Sequence, residues 1–178
     1  NNAAELKAEL TKAYNIAISG RMGPVLIDVP MNVQKEDAGE TIEYTPPPVH
    51  APANGALKDI QQGVQELLAR HSRPVVLFGA GVGLAGVERD VAAWLEQTGI
   101  PFVSSWNAMT YFNHDMPGYC GHIGVYGNRG ANYILQNADA VLVLGSRLDN
   151  RQRSGNAKSF APKAKIYVID IDAEELKK

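Results

Sequence analysis

The sequence contains little of what several common classes of protein require. Cys120 is its one cysteine, so the chain can form neither an internal disulfide framework nor a thiolate zinc site, and we expect a reducing compartment. The formal net charge is -2 and no basic stripe is present, which argues against nucleic acid as a partner. No apolar run reaches the roughly 20 residues of a membrane span, and no signal-peptide pattern is found. We therefore expect a cytoplasmic protein that binds neither nucleic acid nor membrane.

Apolar spacing divides the chain into two parts that are joined by a proline-rich segment. A helical stripe ends at Gly20, and the apolar run of residues 24–30 predicts a buried strand. We interpret residues 1–34 as the terminal helix and strand of a preceding domain. Residues 35–56 contain four prolines and little periodicity, which predicts an extended linker. Residues 57–178 form the second part, a domain of nucleotide-binding type that we expect to be truncated at its C-terminal end.

Strands and helices alternate regularly from residue 57 onward. Apolar, β-branched runs predict strands over residues 75–78, 101–104, 140–144 and 166–171, and helical stripes separate the first three of these. Residues 107–127 are glycine-rich and irregular. Alternation of this kind is typical of βαβ crossovers. The sequence therefore predicts an α/β fold with a doubly wound, Rossmann-like parallel sheet of at least four strands.

A glycine motif follows the first of these strands. Gly81, Gly83 and Gly86 have the spacing of the dinucleotide fingerprint, and they lie between a predicted strand and a predicted helix. The second strand ends in Ser104 and Ser105, where an NAD-binding fold has an acidic residue for the ribose, so ordinary NAD chemistry is disfavoured. The alternative is that the glycines permit only a tight turn and close helix packing.

Ligands of doubly wound sheets bind at the carboxyl ends of the strands. Backbone amides there and Arg147 are suited to bind phosphate oxygens. Asp170 or Asp172 is suited to bind a ribose hydroxyl or an adenine amine, and Trp106 offers a flat apolar face to an aromatic ring of the ligand. Two alternatives remain open, namely that Trp106 belongs to the core and that Arg147 only pairs with Asp149. Tyr126 and Asn128 are further candidates to border a ligand. No residue is predicted to be catalytic or to bind a metal, and the cofactor-binding residues predicted at these strand ends are Gly79, Ala80, Gly81, Ser105, Trp106, Arg147 and Asp170.

Several segments resemble the thiamine-diphosphate-dependent enzymes of the acetolactate synthase type. Residues 17–34, AISGRMGPVLIDVPMNVQ, are similar to the GRxGPVxIDxPxDV pattern that closes that family's pyrimidine-binding domain, with Asn32 in place of the usual Asp. The segments PVVLFGAGV, NADAVLVLGSRLDNR and KIYVIDIDAEEL resemble its central domain, in the same order. The resemblance therefore covers nearly the whole chain.

The resemblance implies a larger enzyme of three α/β domains. In such enzymes the first and third domains of paired subunits bind thiamine diphosphate and Mg2+, outside this chain, and the reaction decarboxylates 2-keto acids and joins the product to an acceptor. The central domain holds FAD in one branch, and ADP or nothing in others; the matching positions are Gly79, Ala80, Gly81, Ser105, Arg147 and Asp149. The resemblance further implies a homodimer or homotetramer, and we expect the chain alone to be inactive.

Two other functions remain compatible with the residues. The chain could be a free-standing nucleotide-binding module without catalysis, or a structural domain whose cleft is filled by its own side chains. A free-standing module has no need of the helix and strand predicted within residues 1–34, which favours the enzymatic interpretation. Analysis of any ligand released from the denatured protein separates the other two.

Overall fold

A computed structural model of the protein describes residues 2–40, 44–45 and 54–177. The chain divides into two compact units, Asn1–Pro52 and Ala53–Lys178. The four prolines of the predicted linker lie outside the described residues, whereas residues 36–40 and 44–45 have neither helix nor strand. No helix in the described part of the chain is long and apolar enough to cross a membrane.

The first unit contains one long helix, α1 (Ala3–Ile18), and a short 3-10 helix (Val33–Lys35). The side chain of Asn2 caps α1 because its Oδ1 accepts a hydrogen bond from the backbone N–H of Glu5 at 3.1 Å. A groove of about 370 Å³ lies between this helix and residues 25–30. The helix that the sequence predicts is thus present in this unit.

The strand predicted over residues 24–30 is not formed among the described residues. This segment has no regular secondary structure, and no strand pairs with it. Leu26 is 88% exposed and Met31, just beyond it, is 71% exposed. A strand is defined by the ladder of hydrogen bonds to a neighbour, and all five strands of the described chain lie in the second unit. An apolar run alone therefore predicted the wrong local structure here.

The second unit alternates strands and helices around one sheet. The 3-10 helices of this unit span Trp106–Tyr111, Ala157–Ser159 and Glu175–Lys177. Its regular elements are α2 (Asn54–Arg70), β1 (Pro74–Phe78), α3 (Ala80–Leu84), α4 (Glu88–Thr98), β2 (Phe102–Ser104), β3 (Tyr119–His122), α5 (Arg129–Asn137), β4 (Ala140–Leu144), α6 (Asn150–Arg153) and β5 (Lys165–Ile169).

The five strands are all parallel and lie in the order β3-β2-β1-β4-β5. In register, Val76 of β1 lies opposite Phe102 of β2 on one side and Leu142 of β4 on the other. The strand order reverses between β1 and β4, which makes this the switch point of the sheet. The predicted doubly wound α/β fold is confirmed. Strand β3 was not predicted, because it lies inside the segment that appears irregular in the sequence.

Two layers of apolar side chains cover the two faces of the sheet. Successive residues of a strand point to opposite faces, so Val75 and Leu77 of β1 belong to one layer and Val76 and Phe78 to the other. Leu135 of α5 packs in the first layer, while Leu67 of α2 and Leu95 of α4 pack in the second. Burial on both faces explains why β1 and β4 are uninterrupted apolar runs.

Candidate functional site

A cleft of about 550 Å³ opens at the carboxyl edge of the sheet. Its walls come from three segments that follow strands β2, β3 and β4, so it lies at the edge where doubly wound folds bind ligands. The volume falls in the range of roughly 300–1,000 Å³ that is typical of small-molecule sites. The lining side chains with the most distinctive chemistry are Trp106, Tyr126, Arg147, Asp149 and Arg151.

The positively charged wall of the cleft is built on the segment between β4 and α6. Asp149 caps α6, since its Oδ1 accepts hydrogen bonds from the backbone N–H groups of Arg151 at 2.9 Å and Gln152 at 3.2 Å. Its Oδ2 lies 3.6 Å from a terminal nitrogen of Arg147, whose side chain is 56% exposed. Exposed ion pairs contribute only about 0–1 kcal/mol. An anionic ligand can therefore compete with Asp149 for the Arg147 guanidinium.

The aromatic wall of the cleft consists of Trp106 and Tyr126. Their ring centroids are 5.2 Å apart and the rings meet edge to face at 71°. Trp106 is 48% exposed, so it lines the cleft instead of belonging to the core. Tyr126 lies in the loop between β3 and α5, which we name the β3–α5 loop (residues 123–128). Asn128, the other candidate in this loop, turns its Oδ1 away to accept a hydrogen bond from the backbone N–H of His122 at 2.9 Å.

The glycine motif packs against the chain itself. The N–H of Gly79 donates to the carbonyl of Leu144 at 2.8 Å, and that of Gly81 donates to the carbonyl of Gly145 at 3.0 Å. A Cβ atom on Gly79 would overlap the Gly145 carbonyl oxygen, and one on Gly83 would overlap the Tyr111 ring. The two amides that the sequence assigned to a phosphate are thus engaged within the protein. This geometry agrees with the alternative that the glycines serve a tight turn and close packing.

Three of the eight predicted cofactor-binding residues line the cleft, and five do not. Ser105 is buried and its N–H donates to the carbonyl of Phe78 at 2.8 Å. Asp170 follows β5, and its Oδ1 accepts a hydrogen bond from the N–H of Asp172 at 2.9 Å. Trp106, Arg147 and Asp149 are the three that line the cleft, and Gly79, Ala80, Gly81, Ser105 and Asp170 are the five that do not.

Val125, Tyr126 and Arg151 also line the cleft, although they are not among the eight predicted cofactor-binding residues; the sequence indicated Tyr126 only as a candidate to border a ligand. The Gly124 and Gly127 pair marks a tight turn around the first two, and that was their signal in the sequence. The polar loop that follows strand β4 carries both Arg147 and Arg151, and its place in the sequence already indicates that the two arginines lie on the ligand side. What joins them into one site is strand β3, since it brings the β3–α5 loop to the same edge as β4.

Outside the cleft, the pKa values of Cys120 and Asp139 are shifted from their ordinary values. Burial raises the pKa of the Cys120 thiol on β3, and a backbone hydrogen bond at Phe102 opposes this shift. Among the described residues, no group of three or more His, Cys, Asp or Glu side chains is arranged to hold a metal ion. His122 contacts the carbonyl of Tyr126 through Nε2 at 3.0 Å.

Comparison with protein families identifies this fold more closely. A family model described as "Thiamine pyrophosphate enzyme, central domain" matches residues 62–178. The chain belongs to the thiamine pyrophosphate enzyme family. The family resemblance seen in the sequence is thus confirmed, and the five-stranded sheet with its cleft is the central domain.

Curated relatives match this central domain together with the segment before it. The acetolactate synthase large subunit of Corynebacterium glutamicum is 33% identical over 183 residues, which cover 99% of this chain and 28% of that protein. The isozyme 2 large subunit of Escherichia coli is 30% identical, with 98% and 31% covered. A probable acetolactate synthase large subunit of Methanocaldococcus jannaschii is 34% identical, with 98% and 30% covered. The chain therefore spans less than a third of the length of these relatives.

Proposed function

We propose that the chain is the central part of an enzyme that decarboxylates 2-keto acids and joins the product to an acceptor, as acetolactate synthases do. Membership in the thiamine pyrophosphate family and the relatives named acetolactate synthase large subunit support this proposal. Thiamine diphosphate, bound with Mg2+ outside this chain, supplies an electron sink for the carbanion left when carbon dioxide departs. The residues described above support the fold and offer a ligand cleft.

We further propose that the cleft binds the nucleotide part of FAD or ADP. The observation that carries this proposal is the presence of two arginines and an aromatic pair on a single cleft of about 550 Å³. A guanidinium donates two parallel hydrogen bonds to phosphate oxygens. Trp106 and Tyr126 offer apolar faces and edges to a heteroaromatic ring. In this arrangement the phosphate contacts come from Arg147 and Arg151 and not from the glycine amides, which are engaged elsewhere.

Calorimetric titration with ADP and FAD tests the ligand proposal. Arg147→Ala should weaken ADP binding by roughly ten- to a hundredfold, since a charge-assisted hydrogen bond contributes about 1.5–3 kcal/mol. Arg70→Ala is the matched control, because Arg70 is exposed on α2 and pairs only at the surface with Glu66 at 3.4 Å. Equal affinity of the Arg147 variant and the parent would place the phosphate elsewhere.

A structural domain without a ligand is the second candidate. The observation that favours it is the closure of Gly79, Gly81 and Gly83 by Gly145 and Tyr111, which accounts for these glycines with no ligand. Mass spectrometry of the denatured, freshly purified protein separates the two candidates. Released FAD or ADP supports the first. Absence of any nucleotide, together with no titratable binding of ADP or FAD, supports the second.

The assembly and activity of the whole enzyme follow the same proposal. We expect the full-length polypeptide to be a cytoplasmic homodimer or homotetramer that releases carbon dioxide from a 2-keto acid when thiamine diphosphate and Mg2+ are supplied. The 178-residue chain should release none under the same conditions, because the residues that bind thiamine diphosphate lie in other domains. Release of carbon dioxide by this chain alone would contradict that division of roles.

A further inference from the structure

Among the hydrogen bonds that hold the β3–α5 loop, one carboxamide pairs both backbone groups of Gly124. Asn132, the fourth residue of α5, accepts a hydrogen bond from the backbone N–H of Gly124 at 3.0 Å. Its Nδ2 also donates to the carbonyl of the same residue at 3.1 Å. A single side chain thereby pairs both backbone groups of Gly124. Only a carboxamide offers a donor and an acceptor side by side at this reach.

Gly124 also joins the loop to the positively charged wall of the cleft. Its φ of +109° belongs to the region that favours glycine, and a Cβ atom there would lie 2.6 Å from the carbonyl oxygen of Arg151. The next residue, Val125, donates its N–H to that same oxygen at 2.9 Å. The loop and α6 therefore contact each other directly at Gly124.

Asn132 does not line the cleft, but both walls depend on the residue that it holds. On one side Gly124 precedes Tyr126, which meets Trp106 edge to face. On the other side Gly124 lies against the backbone of Arg151, whose side chain lines the cleft. Displacement of Gly124 would therefore alter the aromatic wall and the charged wall together.

We propose that Asn132 is a positioning residue for the cleft. Its carboxamide fixes Gly124, and through Gly124 it sets Tyr126 against Trp106 and holds α6 beside the loop. The consequence for the geometry of the walls stands on the contacts alone. The consequence for nucleotide affinity rests on the proposed function of the cleft, so the two need separate measurements.

The geometry is tested without a ligand by the fluorescence of Trp106. The chain has two tryptophans, so Trp94→Phe leaves Trp106 as the single reporter. In that background Asn132→Ala should shift Trp106 emission to longer wavelength. The reason is that the Tyr126 ring moves away from the Trp106 ring and water takes its place. Asn137→Ala is the control, since Asn137 lies on the same helix and its Nδ2 donates only to the carbonyl of Tyr133. An unchanged Trp106 spectrum in a folded Asn132→Ala protein would overturn the proposal.

Titration with ADP tests the effect on affinity. Asn132→Ala should weaken binding roughly tenfold, the equivalent of about 1.4 kcal/mol, and Asn137→Ala should not change it. Asn132→Asp keeps the acceptor for the Gly124 N–H but sets a carboxylate oxygen against the Gly124 carbonyl, so we expect a comparable loss; it also serves if the alanine variant does not fold. Parental affinity in either folded Asn132 variant would contradict the proposed role. If the parent binds neither ADP nor FAD, the ligand proposal fails, and the fluorescence comparison alone decides the role of Asn132.

Discussion

The two edges of the sheet differ in how they use their polar groups. At the amino edge Asp139, just before β4, accepts three hydrogen bonds of 2.9 Å, two from Ser72 and one from the N–H of Arg73. The guanidinium of Arg73 donates to the carbonyl of Asn137 at 2.9 Å. At the carboxyl edge Arg147 is half exposed and its contact with Asp149 measures 3.6 Å. At the amino edge, polar groups hydrogen-bond the segment before β1 to the segment before β4. At the carboxyl edge, polar groups face a cleft instead.

This contrast separates stability from binding within one small domain. A carboxylate that accepts several hydrogen bonds from a neighbouring loop fixes that loop, and its removal leaves donors without partners. A half-exposed arginine beside an aromatic pair contributes little to stability and remains available to a ligand. The glycine motif does not fit a simple assignment by edge, because it lies at the carboxyl edge and yet packs like the core. Substitutions can therefore test whether position or packing decides a residue's role.

The largest effect is expected at Gly79. Gly79→Ala places a Cβ atom onto the Gly145 carbonyl oxygen, and we expect a loss of about 3 kcal/mol in the free energy of unfolding, typical of overpacking. Gly130→Ala is the matched control, because nothing lies within 4 Å of its Cβ position on α5. That control should be neutral or slightly stabilising. Urea denaturation measures both, and a Gly79→Ala protein of parental stability with weakened ADP binding would instead assign Gly79 to the ligand.

A smaller loss is expected at the amino edge. Asp139→Ala removes the acceptor for Ser72 and Arg73, and the free energy of unfolding should fall by about 2 kcal/mol. ADP affinity should stay at the parental value because the substitution lies at the edge opposite the cleft. Urea denaturation and calorimetric titration on the same preparation separate the two effects. A variant that kept its stability and lost ADP binding would reverse the roles of the two edges.

The same aspartate should make stability depend on pH. Burial acts to raise the pKa of Asp139, but hydrogen bonds from Arg73 and Ser72 together with the charge of Arg73 bring it below the usual value in the folded protein. A lowered pKa contributes stability above the unfolded value of about 3.9, and this contribution is lost as the pH falls through the folded pKa. Urea denaturation at a series of pH values between about 5 and 3 should therefore show a shallower decline for Asp139→Asn than for the parent. Parallel declines would exclude Asp139 as the group responsible.

Much of the fold could be predicted from local sequence, because β1 and β4 are buried on both faces and so appear as uninterrupted apolar runs. Strand β3 could not, since Tyr119–His122 is short, contains a glycine and is only partly buried. The same strand explains why the site was predicted in part. Arg147 follows a recognisable strand, whereas the meeting of Tyr126 with Trp106 requires the lateral position of β3. The glycine spacing could not reveal whether the missing side chains make room for a phosphate or for Gly145.

The smallest effect on stability is expected at Arg147. Arg147→Ala removes a half-exposed ion pair, so the free energy of unfolding should change by less than about 0.5 kcal/mol. Asp149→Ala is the informative companion, because Asp149 also caps α6 through the N–H groups of Arg151 and Gln152, and loss of a cap costs about 1 kcal/mol. Thermal denaturation should therefore show a smaller loss of stability for Arg147→Ala than for Asp149→Ala. A larger loss for Arg147→Ala would mean that its side chain supports the fold, and the contrast between the two edges would then disappear.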